Sequence, residues 1–467
     1  MKLLFPIVAF LFLLTNCSAP ISSYYVNSQT GNDDNLGTIE KPFQTIAKVN
    51  QLKLQAGNSV FFAGGQTFQG NLYLKGISGT KESPVQVSSY GNGRAIIDAE
   101  NGTGIKADSC AWLQVKNLKV FGNDRLKGNQ GSGVELRRTQ NCSIDSIEAS
   151  GFLWSGIKAV GGKNLQITHV YAHDNGFSGI NVESDGQDAG GLEGSWGKSF
   201  HNVYIAHCVA ENNPGCPVVK NNHSGNGILI GGVTKGLIEY CEAMNNGWDM
   251  PREGNGPVGI WAYQSDSITI QYCYAHDNKT SAKGKDGGGF DLDGGISNSV
   301  VQHNYSANNE GAGYGLFQYY GATLWKNNIV RNNFSYNDGR KNGQAGFLMW
   351  IATGSPELIS DCRIYENTVI NCYGHAVSFE PGDYPRFEFR DNIFVLTNLP
   401  GSFVNGSFSG ATFTENKVWV TNQNLPLAFP EDKKAVWADP KISIPTDNNQ
   451  LNEYIREKLG LRPLKIN

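Results

Sequence analysis

The chain has 467 residues, of which 17% are charged, with a formal net charge of −4. This balance excludes the basic excess of a nucleic-acid binder and the charge density of a disordered chain. Fifty-seven glycines beside an aromatic content of 11% point to an all-β chain with many turns around a packed core.

Residues 1–17 read as a leader. Met1-Lys2 precedes an apolar run from Leu3 to Leu14, too short to span a bilayer comfortably. The run ends at Leu14-Thr15-Asn16-Cys17, which resembles a bacterial lipobox and would make Cys17 the lipid-modified first residue of the mature protein. An ordinary secretory signal followed by a chance cysteine is the alternative. Both imply export, and the first implies anchoring to the outer membrane or cell surface.

Residues 18–55 read as an N-terminal strand and a short helix in which Phe43, Ile46, Ala47 and Asn50 cap the open end of a solenoid. From 56 to 420 a single unit recurs. Its strands open on glycine: "GVEL" at Gly133, "GIKA" at Gly156, "GINV" at Gly179, "GILI" at Gly227, "GIWA" at Gly259, "GFDL" at Gly289, "GLFQ" at Gly315 and "GFLM" at Gly346. The first two steps are 23 residues each (156 − 133 and 179 − 156), and later ones lengthen, so loops have been inserted into a constant frame. A 23-residue unit is too short for a four-stranded propeller blade, and so much glycine disfavours helical solenoids. The architecture that fits is an all-β, right-handed parallel β-helix with short helical caps, each repeat one coil of a single solenoid. Cys208, Cys241 and Cys273 fall at one position in successive units, which continues as Asn304, Asn333, Asn367 and Asn392. These define one inward column, thiols giving way to carboxamides. Residues 421–467 form a C-terminal tail, with Asn449 to Leu459 and then Gly460 reading as a second capping helix.

From about Tyr24 to Val420 this pattern, with the opening "YYVNSQTGNDDNLGTIEKPFQTIAKVNQL", resembles the pectate-lyase superfamily of right-handed parallel β-helix proteins. The resemblance implies action on a polysaccharide in a groove on one face. The Asn-Thr-Asp and Gly-His-Gly signatures of polygalacturonases are absent, as are the Arg-x-Pro-x-x-Arg and Trp-Ile-Asp-His patterns of well-known pectate lyases.

The candidate chemistry lies in "DGGGFDLDGG", residues 286 to 295. If Gly289 opens the strand, Phe290 and Leu292 face inward and Asp291 and Asp293 share the outward face. The glycine register then sets them between Trp261 and Tyr263 on one side and Phe317 and Tyr319 on the other, with Trp350 beyond. Insertions around 184–199, 211–224, 245–257 and 277–287 would wall the groove. Glu183, His223 and Asp249 join the aromatic residues as candidate substrate contacts. A solvated acidic face, with the aromatics packed under the loops, is the competing expectation.

Three chemistries could use this set. A β-elimination or C5-epimerisation on a uronate-containing polymer is the favoured reading. In it Asp286, Asp291 and Asp293 would hold Ca²⁺, and Lys285, Lys220 or Arg252 would serve as base or clamp. An inverting glycoside hydrolase would use Asp291 and Asp293 as acid and base. A non-catalytic glycan-binding β-helix would need only the aromatic face. In each case a polysaccharide is the expected partner and the protein a monomer.

Overall fold

A computed structural model describes residues 22–185, 199–352, 359–397, 403–421, 429 and 432–461. The leader with Cys17 lies outside the described residues, as does most of the insertion near 184–199. The strands pair in parallel throughout, in three ladders that run the length of the molecule and meet at tight corners. The fold is therefore a parallel β-helix, as the repeat requires. One ladder carries the glycine-led strands: Ser178–Glu183, Asn226–Gly231, Val258–Tyr263, Gly288–Leu292, Tyr314–Gln318 and Phe347–Ile351 follow one another in register.

Stacked inward columns hold the coils together. Cys208, Cys241 and Cys273 are free, fully buried thiols. The column then continues as a carboxamide ladder in which Asn304 donates to Asn333 (3.1 Å), Asn333 to Asn367 (3.0 Å), Asn367 to Asn392 (3.0 Å) and Asn392 to Asn416 (3.0 Å). Each rung also closes a backbone group of its neighbour's coil, as buried amides require. A second ladder, not foreseen from the cysteine pattern, runs Asn175, Asn213, Asn246, Asn278 and Asn309 and ends on Asp338.

The abundance of asparagine has a further cause at the corners. The corner residue ahead of each column position lies in the left-handed region, at φ 51° in His169, 55° in His207, 52° in Tyr240 and Tyr272, and 53° in Asn332. Asn tolerates that conformation best among residues with side chains. Where His or Tyr takes the place, the rings stack on one another, His169 to His303, at 5.2–5.3 Å between centroids.

Two expectations about the ends need correction. The N-terminal helix α1 (Ile46–Val49) is one turn, capped by Thr45, and buries Ile46 and Val49; Ala47 and Asn50 are exposed. The C-terminal helix α2 (Asn448–Leu459), capped by Asp447 and by Gly460 at φ 66°, does not close the end of the solenoid. It lies along the flank, with Leu451, Ile455 and Leu459 against Tyr274 and Ala307. There Arg456 reaches Glu242 (2.6 Å), which also binds the buried His276 (2.9 Å). His276, in a "YAHDN" segment that also occurs at 171–175, is thus architectural.

Candidate functional site

The strand Gly288–Leu292 sits as the alternation requires: Phe290 pairs with Ile260 and Leu292 with Ala262, all buried, while Asp291 pairs with Trp261 on the outer face. On the other side the register differs from expectation. Asp291 lies beside Gly315, not Phe317, and Phe290 beside Tyr314. The glycine column continues through Gly313, a step of 313 − 289 = 24 residues, because a β-carbon on Gly289 would crowd the Gly313 carbonyl. Stacking decides the matter: the rings of Phe290, Tyr314 and Phe347 form one inward pile at 5.2 and 5.3 Å. The two-residue shift moves Phe317 one outward position along, beside Trp350, so that Gly315 stands alongside Asp291.

That glycine answers why acids and glycines crowd together here. A β-carbon on Gly315 would meet the Phe317 ring and stand 3.2 Å from Asp291 Oδ1; one on Gly231 would overlap Tyr263, and one on Gly294 would overlap Tyr319. Missing side chains on the outer face make room for aromatic rings to lie over the sheet. The face is consequently only partly solvated. Asp291 is only 4% exposed and Trp261 3%.

A cavity of about 310 Å³ opens above this face. Its floor is Asp291, Asp293, Trp261, Tyr263, Phe317, Tyr319 and Trp350. Its walls come from the insertions, through Asn222 and His223, then Arg252, Asn255 and Gly256, then Asp286. Ten residues singled out from the sequence therefore converge on one pocket. Four do not. Lys220 is exposed and does not line the cavity. Lys285 lines a smaller neighbouring one. Asp249 pairs with Arg125 at 2.6 Å and pins its loop. Glu183 pairs with Lys158 at 3.2 Å, although its charge helps push the Tyr263 phenol upward. Asn226, at the head of its strand where the preceding coils carry Ser155 and Ser178, was missed; its departure from that serine column was the available signal.

The three carboxyls differ in their surroundings. Asp286 accepts from Gly256 N (2.7 Å) and Gln344 Nε2 (3.3 Å), and Lys285 and Arg252 oppose the effect of its burial, which still leaves it raised. Asp293 accepts from Gly294 N (2.7 Å); burial, and then the Asp286 charge, push it up to about 7. Asp291 Oδ1 has no partner among the described residues, and burial followed by the charges of Asp293 and Asp286 drives it far above the carboxylate range. All three are therefore raised by burial, and at Asp286 hydrogen bonds and two nearby cations oppose that rise.

Calcium needs six to eight oxygens, with ionised carboxylates among them. Among the described residues no three His, Cys, Asp or Glu side chains stand together as a cation-binding group. The donor set expected of Asp286, Asp291 and Asp293 is thus not among the groups that the described residues bring together.

His223, expected as a substrate contact, lines the cavity. Its ring is held by Asn226 (3.0 Å) and set edge-on to Trp261 at 4.8 Å, and burial together with the Arg252 charge lowers it to about 4.

Fold and pocket together define a parallel β-helix with a cavity on one face, floored by acids and aromatic rings. The family described as right handed beta helix region matches residues 87–355, more than half of the chain, and the chain belongs to it. The lacto-N-biosidase of Bifidobacterium longum is 23% identical over 528 residues, an alignment covering 90% of this chain and 31% of that protein. The uncharacterised protein YwoF of Bacillus subtilis is 28% identical over 186 residues, 40% of this chain and 35% of YwoF. The chain thus spans about a third of the length of the curated relatives it matches. Among solved structures, lacto-N-biosidase from Eubacterium ramulus superposes with a TM-score of 0.59 at 19% identity, covering 85% of this chain and 67% of that one. A mannuronic acid specific family 6 polysaccharide lyase from human gut microbiota gives 0.57 at 14% identity, covering 93% and 94%. At these identities the structural likeness is one of fold.

Proposed function

We propose that this protein hydrolyses a glycosidic bond in an uncharged glycan, with Asp293 as general acid and Asp286 as its ionised partner. The observation that carries the reading is the convergence of three carboxyls in unlike hydrogen-bond surroundings on one pocket, beside aromatic rings. Asp293, raised to about 7, keeps its proton in about half of the molecules at neutral pH and in more below it, and can give that proton to the leaving glycosidic oxygen. Asp286, with two hydrogen bonds and two nearby cations, is the carboxyl best held ionised. It either activates water or attacks the anomeric carbon, and the configuration of the first-formed sugar tells which. Asp291 stays neutral beneath them. Trp261, Tyr263, Phe317 and Trp350 offer flat faces to pyranose C–H groups.

Elimination or epimerisation on a uronate is less well supported. An acidic sugar would find one cation in the pocket lining, Arg252, with the ionised Asp286 beside it. The lysines expected to neutralise or deprotonate it, Lys285 and Lys220, stand outside the pocket. The sequence relative named lacto-N-biosidase, whose match covers 90% of this chain, supports a hydrolase of glycans. Export with lipid attachment at Cys17 would put this activity at the cell envelope, and loss of membrane association in Cys17→Ser would check it.

Incubation with a panel of neutral oligosaccharides should release new reducing ends without the ultraviolet absorbance of an unsaturated uronate. Asp286→Asn and Asp293→Asn should each abolish the release while leaving the fold intact. Ultraviolet-absorbing products from an acidic polymer, with no cleavage of neutral glycans, would overturn the reading in favour of elimination.

A further inference from the structure

The hydrogen bonds behind His223 settle which of its nitrogens carries the proton. Asn226 is fully buried, and its Oδ1 receives two donors, Val258 N at 3.2 Å and Trp261 Nε1 at 3.2 Å. Both are N–H groups that cannot accept, so the atom they meet must be the amide oxygen. The other end of the same amide is then the NH₂, which contacts the Phe177 carbonyl (3.4 Å) and His223 Nδ1 (3.0 Å). An NH₂ can only donate, so His223 Nδ1 must be a bare acceptor.

Burial and the Arg252 charge, the charged group that acts on this ring, keep the imidazole neutral with its pKa lowered to about 4. A neutral imidazole with an unprotonated Nδ1 carries its hydrogen on Nε2. Phe177 and Trp261 hold the ring at 5.7 and 4.8 Å between centroids, so its orientation is fixed by packing as well as by Asn226. His223 lines the cavity, and with Nδ1 taken, Nε2–H is the polar group it has to offer there.

We infer that His223 is a specificity-determining donor: a relay from Val258 and Trp261 through Asn226 locks it as the Nε2–H tautomer, which binds an uncharged acceptor oxygen of the sugar in the pocket. This rests on the reading of the pocket as a site for neutral glycans. It makes His223 neither acid nor base but a positioning residue whose donor cannot titrate away between about pH 5 and 8. The same relay ties recognition to the aromatic wall, because Trp261, the ring beside Asp291, is also the residue that orients Asn226.

The full chain labelled with ¹⁵N-histidine, with His223 assigned by loss of its signals in His223→Gln, provides the test. In the free protein, Nδ1 should show the shift of an unprotonated nitrogen and Nε2 that of a protonated one, unchanged from about pH 5 to 8. A protonated Nδ1 would overturn the proposal whatever the protein acts upon. Glucose, galactose and N-acetylglucosamine, added singly as probes, should move Nε2–H together with the Trp261 indole N–H. If the indole responds while Nε2–H does not, His223 is only a wall and the donor role is lost. If neither responds to any of the three sugars, the neutral-glycan reading and the donor role fail together, while the tautomer stands. Asn226→Asp provides a readout that a packing role would not move: the carboxylate would draw a proton onto Nδ1 and raise the His223 pKa by about one to three. An unshifted titration in that variant would refute the relay.

Discussion

Asp293→Asn should make the protein more stable, and only at the higher pH. The Asp293 carboxyl is held at about 7 against an ordinary value of 3.8, mainly by burial. Below the lower value it is protonated in both folded and unfolded chains and contributes no pH dependence. Between the two values the unfolded chain ionises while the folded one keeps its proton, so stability falls as pH rises. Above about 7 the folded protein bears the whole cost. A difference of about three pH units at 1.36 kcal/mol each makes that cost on the order of 4 kcal/mol, an upper bound because local relaxation and water lessen it. Asparagine keeps the shape and removes the charge, and it also relieves Asp291, whose pKa the Asp293 charge helps to raise. The gain should therefore reach about 2–4 kcal/mol near pH 8 and shrink towards zero near pH 4.5. With roughly 2.1 cal/mol/K per residue, that corresponds to a rise of only about 2–4 °C in melting temperature. Denaturant midpoints of parent and variant at the two pH values are thus the better measurement. An equal gain at both pH values, or a loss near pH 8, would refute the account of Asp293 as a desolvated acid. The stabilised variant should have lost its hydrolytic activity, since the strain being relieved is the acid's own readiness to donate.

The pH profile of kcat/KM should fall on the alkaline side near pH 7 as Asp293 ionises, and Asp286→Asn should lower kcat by about 10²–10⁴-fold at every pH; an alkaline limb unmoved by changes at 293 would assign the acid elsewhere. Chelators should leave the rate unchanged, because the donor set for calcium is not assembled among the described residues of the pocket; activity lost to a chelator and restored by Ca²⁺ would return metal-assisted elimination to the front. Asn333→Ala should destabilise by about 3–5 kcal/mol, measured by denaturant unfolding, because it strands the buried partners of four ladder hydrogen bonds, among them Asn304 and Asn367. Asn333→Cys should cost less, since Cys273 occupies the same column, next to Asn304.

The repeat was legible because a parallel solenoid imposes the same environment at the same position in each coil, and selection for that environment writes itself into the chain. Gly156, Gly179 and Gly227 must admit the carbonyl of the next coil; the thiols at 208, 241 and 273 and the carboxamides from 304 onward must fill one inward column. Period and column identity are local facts, so fold, face and the outward aspect of Asp291 followed from the residues alone. The exact partner across the sheet did not. Gly313 and Gly315 both satisfy the glycine pattern, and only the fit of the Tyr314 ring between Phe290 and Phe347 selects one. The chemistry of the site was still less local. Nothing in "DGGGFDLDGG" says that Asp286 will find Gln344, a residue 58 positions away, or that the loops bearing His223 and Arg252 will close over Asp291 and Asp293 and withdraw them from water. Burial, not sequence spacing, raises the pKa of those carboxyls. Burial is a property of what lies across the pocket, so it belonged to the tertiary structure.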